Sequence, residues 1–388
     1  MFYFHGGNIP SNLLQINGSE DDISILIGEN GSGKSTLLNH LAQSFLEDSR
    51  TQVIAVANTI HDKFRGRNVR FQTLKSSLGR GVVNKALARC LSALAEDDYK
   101  RTNIISGVFH YVGFDATVGF TLRGLKTGYQ SRLEEMQLPA LAKEQIYNAL
   151  DAYARRNTFE YYSSDVARIE LQNFSHITNR ESSMLSLFRY DKELRKAKVF
   201  SRIELFLYKE NAQIPVHMAS SGELTLIATL LYISSIIQVG TVLLIDEPEN
   251  SLHPKWQMEY VKRLNELFYL YQPKIIIATH SPLIINGGEL QSNHIRIYKG
   301  ESGSFEEQHK NTTNVEQIYE DYFDVTTPQN RYISELVVKQ MNALANEEIS
   351  FEQYVNLINE LEENAYDPEQ KSVLKSMINM GQKIINAR

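Results

Sequence analysis

An apolar run followed by a glycine-rich loop is the feature that most constrains this chain. Residues 23–27 read Ile-Ser-Ile-Leu-Ile, and residues 28–36 read Gly-Glu-Asn-Gly-Ser-Gly-Lys-Ser-Thr before a helical pattern that continues to Phe45. Glycines allow successive backbone N–H groups to turn toward one point, and the start of the helix adds the positive end of its dipole. The pattern therefore predicts a strand, a loop and a helix that together bind the phosphates of a nucleoside triphosphate. The alternative is an ordinary glycine-rich turn between a strand and a helix.

Side chains of this loop have distinct expected tasks. The ammonium group of Lys34 is expected to reach the β and γ phosphates, and the Ser35 hydroxyl to bind Mg²⁺. The predicted nucleotide contacts are Asn30, Gly31, Ser32, Gly33, Lys34, Ser35 and Thr36.

Two consecutive carboxylates follow a second apolar run, residues 243–245. Because a buried strand would deliver both to the same edge of a sheet, Asp246 is expected to hold Mg²⁺ and Glu247 to polarise the attacking water. The alternative is a solvated acidic pair that ends a strand.

Two further patterns point to the same phosphates. Ser221-Gly222-Glu223 begins a long apolar helix 25 residues before Asp246, and a serine with a glycine at a helix start can bind an anion or serve as an ordinary cap. His280 ends the apolar run 275–278, 34 residues after Asp246. It is predicted to donate a hydrogen bond to the γ-phosphate, although most single histidines at strand ends are merely packed or solvated.

Composition gives a broad class and a compartment. With 388 residues, of which 42% are hydrophobic, the chain can bury a sizeable core, and its net charge of −6 gives no overall signal for nucleic acid. One cysteine and no secretory leader pattern predict a cytoplasmic protein. The uncharged segment 224–245 is interpreted as a helix and a strand rather than as a membrane span.

The order of patterns along the chain predicts an interrupted α/β unit with a mostly parallel sheet. The expected regions are a first lobe at 1–77, a helical insertion at 78–201, a second lobe at 202–300, and an acidic helical region at 301–388. In this prediction, the strand-like residues 203–208 return to the sheet of the first lobe.

Taken together, these motifs resemble the ABC-type ATPases of the RecF, SMC and OLD kind, a soluble group often called AAA-type ATP-binding proteins. The resemblance covers roughly residues 20–80 and 200–300: Gly28–Thr36 as Walker A, residues 220–223 as the signature, residues 243–247 as Walker B, residues 250–254 as the D-loop and His280 as the switch histidine. The 212 residues between Lys34 and Asp246 are more than RecA-like or AAA+ ATPases usually have.

The resemblance implies a mechanism. ATP and Mg²⁺ would bind between two head-to-tail copies, so that Ser221, Gly222 and Glu223 of one copy close over the phosphates held by Lys34 of the other. Lys34, Glu247 and His280 would then carry catalysis in a homodimer or higher homo-oligomer. A glutamine normally joins Ser35 and Asp246 at the metal, and Gln72 is the candidate here, although its surroundings match the family pattern poorly.

Partners are less constrained by the sequence. From Asp62 to Arg89 eight basic residues face one acid, and they are expected to contact DNA, the nucleotide, the opposite head or solvent. The C-terminal region from Glu301 has 16 acids and seven bases and is a candidate docking surface or a solvated face. No Asp-x-Asp pair follows His280, so the chain is not expected to cut DNA by itself.

Three functions are compatible with these features. The first, an inference from resemblance to Septu-type and retron-associated ATPases, is a prokaryotic anti-phage ATPase that regulates a separate nuclease or toxin. The second is a DNA repair or recombination ATPase of the RecF or SMC type. The third is a scaffold that binds ATP with little turnover, against which Glu247 argues.

Overall fold

The computed structural model describes residues 9–16, 22–58, 63–66, 68–75, 81–94, 99–156, 166–171, 179–289, 295–308, 318, 337, 339–346, 348–363 and 368–386. The strands are β1 Ile23–Ile27, β2 Val53–Ala57, β3 Phe71–Lys75, β4 Thr117–Arg123, β5 Ala167–Glu170, β6 Arg202–Lys209, β7 Ala212–Pro215, β8 Val242–Asp246, β9 Lys274–Ala278, β10 Arg296–Glu301 and β11 Ser304–Gln308. The helices are α1 Ser11–Leu14, α2 Lys34–Glu47, α3 Gly81–Leu94, α4 Tyr99–Val112, α5 Tyr129–Glu135, α6 Ala140–Arg156, α7 Asn179–Arg189, α8 Asp191–Lys196, α9 Ser221–Ile236, α10 Pro254–Phe268, α11 Pro282–Glu289, α12 Phe351–Glu363 and α13 Pro368–Asn386.

A seven-stranded sheet contains the strands that lead to the phosphate loop, to the acidic pair Asp246 and Glu247, and to His280. Its order is β11-β10-β1-β9-β8-β2-β3, and every pair is parallel except β10 with β11. Strands β1, β2, β8 and β9 are buried along their whole length, as expected for apolar runs covered on both faces. The predicted α/β fold with a mostly parallel sheet is confirmed.

Alternate residues of the central strands face two separate cores. Ile25 and Ile27 belong to a large core that also contains residues of α3, α4 and α9, whereas Leu26 packs with Leu37, Leu41 and other residues of α2. The sheet is thus a middle layer between helices, and the carboxyl ends of its parallel strands meet at one edge.

A second, antiparallel sheet corrects the expectation for residues 203–208. Strand β6 does not return to the parallel sheet, because it pairs with β4 and β7 in a sheet of order β5-β4-β6-β7. Strands β4 and β5 both lie inside the region 78–201, which was expected to be a helical insertion. The local pattern of β6 predicted a strand, but only long-range pairing decided which sheet it joined. The domain boundaries themselves stay a prediction.

The C-terminal helices form a small core of their own. Val337, Leu344, Tyr354, Ile358 and Leu374 are buried together, and α12 packs against α13. Within the region expected to be helical, 301–388, residues 339–345, α12 and α13 are helical, whereas β11 is a strand that pairs with β10. Residues 331–336 and 338 lie outside the described residues.

The uncharged segment 224–245 is divided as predicted. Helix α9 ends at Ile236, and β8 begins at Val242. Among the helices that the structure describes, none has both the length and the apolar character required to cross a membrane.

Candidate nucleotide site

The phosphate loop begins directly after β1 and ends where α2 begins. Gly31 and Gly33 have positive φ angles of 89° and 100°, a conformation that side chains disfavour. Lys34 is buried, and its Nζ donates to the carbonyl oxygens of Gly28 at 2.8 Å and Glu29 at 3.0 Å. Burial lowers the pKa of Lys34 to about 8, although Glu247 and Asp246 act in the opposite direction. The ammonium group is thus already held within the loop, beside acidic groups.

A hairpin that the sequence analysis did not connect with the site packs against this loop. The turn between β10 and β11 donates from the Gly303 N–H to the Ser32 carbonyl oxygen at 3.2 Å. Loop and turn together line a cleft of about 450 Å³. Because 271 positions separate Ser32 from Gly303, no local signal could have revealed the contact.

Asp246 ends β8 at the same edge of the sheet. Its carboxylate is buried, and neither oxygen has a hydrogen-bond partner among the described residues. The Ser35 hydroxyl faces this carboxylate and favours its charged form without making a well-formed hydrogen bond, whereas burial raises the pKa of Asp246 to about 6. Buried oxygens without partners are costly, and a hard cation would satisfy them. Asp246 and Ser35 therefore fit a Mg²⁺ site.

Glu247 follows with an unusual backbone. Its φ angle is +50°, and its N–H donates to the Ala278 carbonyl oxygen of β9 at 2.8 Å. The side chain accepts a hydrogen bond from Asn250 Nδ2 at 3.0 Å. A left-handed conformation at a non-glycine residue costs free energy and often occurs at functional sites. It turns Glu247 out of the strand direction at the carboxyl edge of the sheet.

His280 lies beside Glu247, two residues beyond the end of β9. Its Nε2 is 3.7 Å from Glu247 Oε1, and both side chains are only about one quarter exposed. Burial, and then the nearby Lys34, lower the pKa of His280, although Glu247 acts in the opposite direction. These influences favour the neutral imidazole, which has one N–H available for donation.

Gln72 is not brought to this edge, which corrects its assignment as a metal ligand. Strand register pairs Gln72 with Ile54, whereas Asp246 pairs with Ala57, three residues farther along β2. Its side chain donates to the Val69 carbonyl oxygen at 2.8 Å. Three residues of a strand span roughly 10 Å, so Gln72 lies well below the carboxyl edge.

The signature residues begin α9 as a capping box. Ser220 accepts from the Glu223 N–H at 3.2 Å, and Glu223 accepts from the Ser220 N–H at 3.0 Å. Ser221 is exposed, whereas Gly222 is buried against the Ser251 carbonyl oxygen. Within the described residues, no hydrogen bond joins these residues to the phosphate loop.

Two residues that had no individual role in the sequence-based prediction lie beside the site. Glu249 accepts a hydrogen bond from the His280 N–H at 2.6 Å. Lys63 donates to the Thr36 hydroxyl at 2.8 Å, in the first turn of α2. Glu249 lies two residues after the acidic pair, and Lys63 belongs to the basic run, but neither pattern showed which charged side chain would face the site.

Comparison with known proteins supports an ATPase. Residues 122–286 match the family described as "AAA domain, putative AbiEii toxin, Type IV TA system". A protein named "Retron Vc95 probable ATPase", from Vibrio cholerae serotype O1 biovar El Tor, is 23% identical over 374 aligned residues, which cover 73% of this chain and 70% of that protein. The chain is similar to an ATPase of the retron kind.

Two further relatives are considerably longer than their matched parts. "Protein ea59" of Escherichia phage lambda is 24% identical over 68% of this chain and 46% of its own length. "Septu protein PtuA" of Bacillus mycoides strain KBAB4 is 22% identical over 68% of this chain and 35% of its own length. The predicted resemblance to retron and Septu ATPases is thereby confirmed, and the chain matches less than half of each of these two proteins.

Proposed function

We propose that this chain is an ABC-type ATPase that binds and hydrolyses ATP between two head-to-tail copies. The observation that carries the proposal is the arrangement of Lys34, Asp246, Glu247 and His280 beyond the adjacent strands β1, β8 and β9. These strands are parallel, so their carboxyl ends deliver a cation, two carboxylates and an imidazole to one place. The exposed Ser221, which forms no hydrogen bond with its own phosphate loop among the described residues, is available to a second copy.

Each side chain has a task in the proposed reaction. Lys34 and the loop N–H groups bind the phosphates, and Ser35 with Asp246 would hold Mg²⁺, which neutralises phosphate charge when it is bound. Glu247 accepts a hydrogen bond from the attacking water and orients it toward the γ-phosphorus atom. His280 donates from its neutral ring to a γ-phosphate oxygen. The products are ADP and inorganic phosphate.

The proposed biological role is control of a separate effector in anti-phage defence. It is supported by the relatives named for a retron and for Septu, whereas the relative from phage lambda gives no such support. ATP-driven association of two copies would then be the switch that holds or releases a nuclease or toxin. The proposed setting is the cytoplasm, where the buried thiol of Cys90 stays reduced.

Contacts within the basic run argue against the second candidate function, a DNA repair ATPase. Arg70 donates to the carbonyl oxygens of Leu46 and Thr51, and Arg89 lies over the Tyr232 ring at 5.4 Å. Such side chains are engaged in contacts within the protein and are less available to bind the phosphates of DNA. Arg67 and Arg80 lie outside the described residues.

Turnover of ATP by the purified protein tests the proposal, with and without duplex DNA. Glu247→Gln should still bind ATP but hydrolyse it at least about 100-fold more slowly, a loss of roughly 3 kcal/mol of barrier lowering. Normal turnover in this variant would contradict the role of Glu247. Turnover only in the presence of DNA would favour the repair ATPase, and binding without turnover would favour the scaffold.

A further inference from the structure

Glu249 joins the acidic loop to the histidine. Its Oε1 accepts a hydrogen bond from the His280 N–H at 2.6 Å, shorter than most bonds from a backbone amide. Burial raises the pKa of Glu249, although the hydrogen bond from the His280 amide and the Thr279 hydroxyl favour the charged carboxylate. Its second oxygen, Oε2, is buried without a hydrogen-bond partner in the described part of the chain. A carboxylate in this position calls for an explanation, because burying an unsatisfied oxygen is costly.

Two reciprocal hydrogen bonds cross between the ends of β8 and β9. The Glu247 N–H donates to the Ala278 carbonyl oxygen, and the His280 N–H donates to the side chain of Glu249. Strand pairing ends at Asp246 and Ala278, so the bond to Glu249 takes the place of the next rung of the ladder. It fixes the backbone of His280 relative to Glu247.

The histidine segment is fixed from other sides as well. The Thr279 N–H donates to the Leu26 carbonyl oxygen of β1, and the Ser281 hydroxyl donates to Gln257 Oε1 of α10 at 2.6 Å. Neither contact involves the His280 N–H itself. Among the described residues, the acceptor for this N–H is Glu249, which belongs to the same turn as Glu247.

We propose that Glu249 is a positioning residue that holds His280 at the distance from Glu247 that hydrolysis requires. This inference rests on the proposed ATPase function. Glu249 itself touches neither the water nor the phosphates in this account, since its Oε1 accepts from the His280 amide and its Oε2 is buried. Its loss should therefore slow the chemical step while leaving nucleotide binding to the loop around Lys34.

A matched pair of variants separates the hydrogen bond from the charge and the volume. Glu249→Gln keeps an oxygen that accepts from the His280 N–H, whereas Glu249→Met has a similar length and no such acceptor. We expect Glu249→Met to lower kcat at least about tenfold with an ATP Kd within about threefold of wild type, and Glu249→Gln to stay within about threefold in both. Glu266→Met, which removes a carboxylate from surface ion pairs on α10, should change neither.

Hydrogen–deuterium exchange provides a readout that does not depend on turnover. Loss of the acceptor should speed exchange of the His280 amide at least about tenfold in Glu249→Met but not in Glu249→Gln. The proposal is overturned if Glu249→Met keeps the wild-type kcat, if Glu249→Gln is as slow as Glu249→Met, or if exchange does not change. Wild-type protein without any turnover would instead refute the ATPase function, and the exchange result would still decide whether Glu249 fixes His280.

Discussion

Lys34 shows how a single residue type acquires its task from its surroundings. A lysine in water has an ammonium group with three free donors, but here two of them are directed to carbonyl oxygens of its own loop. Burial lowers the pKa of this group to about 8, and the neighbouring carboxylates oppose that effect. The ammonium group therefore stays charged near neutral pH and can bind an anion strongly. When a phosphate binds, Lys34 would donate to its charged oxygens instead of to these neutral carbonyl oxygens.

Replacing Lys34 tests that exchange directly. Lys34→Ala should weaken ATP binding at least about 100-fold, because a buried charged hydrogen bond to phosphate is lost. Equilibrium binding of a fluorescent ATP analogue would measure the change. Lys262→Ala is the matched control, since Lys262 lies on the exposed side of α10 and, among the described residues, pairs with Glu266. Equal affinity in the two variants would remove the phosphate-loop assignment.

The buried carboxylate of Asp246 is expected to lower the stability of the nucleotide-free protein, although the proposed Mg²⁺ site requires it. The pKa of its carboxyl is about 6 in the folded protein against 3.8 as a reference, so the folded state binds the proton more tightly than the unfolded state. The free energy of unfolding therefore decreases as pH rises through this window. Asp246→Asn should stabilise the nucleotide-free protein at pH 7 by about 2 kcal/mol and abolish binding that depends on Mg²⁺.

Urea unfolding at several pH values measures this effect. The gain of Asp246→Asn over wild type should be full near pH 7, shrink as pH falls through 6, and be nearly absent at pH 4, where the wild-type carboxyl is also neutral. A gain that did not change with pH would mean that the charge of Asp246 is not its cause.

At the scale of elements, the contact between the loop and the β10–β11 hairpin makes its own prediction. Gly28 has a φ angle of +139°, and an added Cβ would lie 2.5 Å from the Gly300 carbonyl oxygen and 2.9 Å from Ser32 Oγ. Gly31 also has a positive φ angle, but an added Cβ would meet no atom within 4 Å. Gly28→Ala should therefore lower the free energy of unfolding by about 2 kcal/mol or more beyond the effect of Gly31→Ala. Thermal unfolding measures the difference as a distinctly lower midpoint for Gly28→Ala. Similar midpoints would show that the hairpin does not press on the loop.

Some properties of the helices and strands could be predicted from consecutive residues, whereas others could not. The strand and helix on either side of the phosphate loop, and the division of segment 224–245 into a helix and a strand, were predicted correctly, because apolar runs and helical periods are patterns of consecutive residues. The sheet that β6 joins was predicted wrongly, and Gln72, the candidate metal ligand, lies three residues below the level of Asp246 in the strand register. Both depend on strand register, which is determined by residues far away in the chain.

For the whole molecule, the head-to-tail arrangement predicts complementation between two inactive variants. Lys34→Ala keeps an intact signature, and Ser221→Arg keeps an intact phosphate loop, so a mixed dimer would contain one complete site. Each variant alone should lack turnover, whereas an equimolar mixture should recover about a quarter of wild-type activity when pairing is random. If the two variants fold but the mixture stays inactive, the shared-site arrangement is wrong.

The sequence by itself determined the local chemistry: a phosphate loop between a strand and a helix, two carboxylates and a histidine at strand ends, and a capped apolar helix. These features follow from short runs whose residue types restrict backbone conformation and burial. The tertiary structure decided which of them meet. Parallel pairing of β1, β9 and β8 brings Lys34, Asp246 and His280 together, and it excludes Gln72. Only folding could do so, because contacts across hundreds of residues depend on register and packing rather than on neighbouring residues.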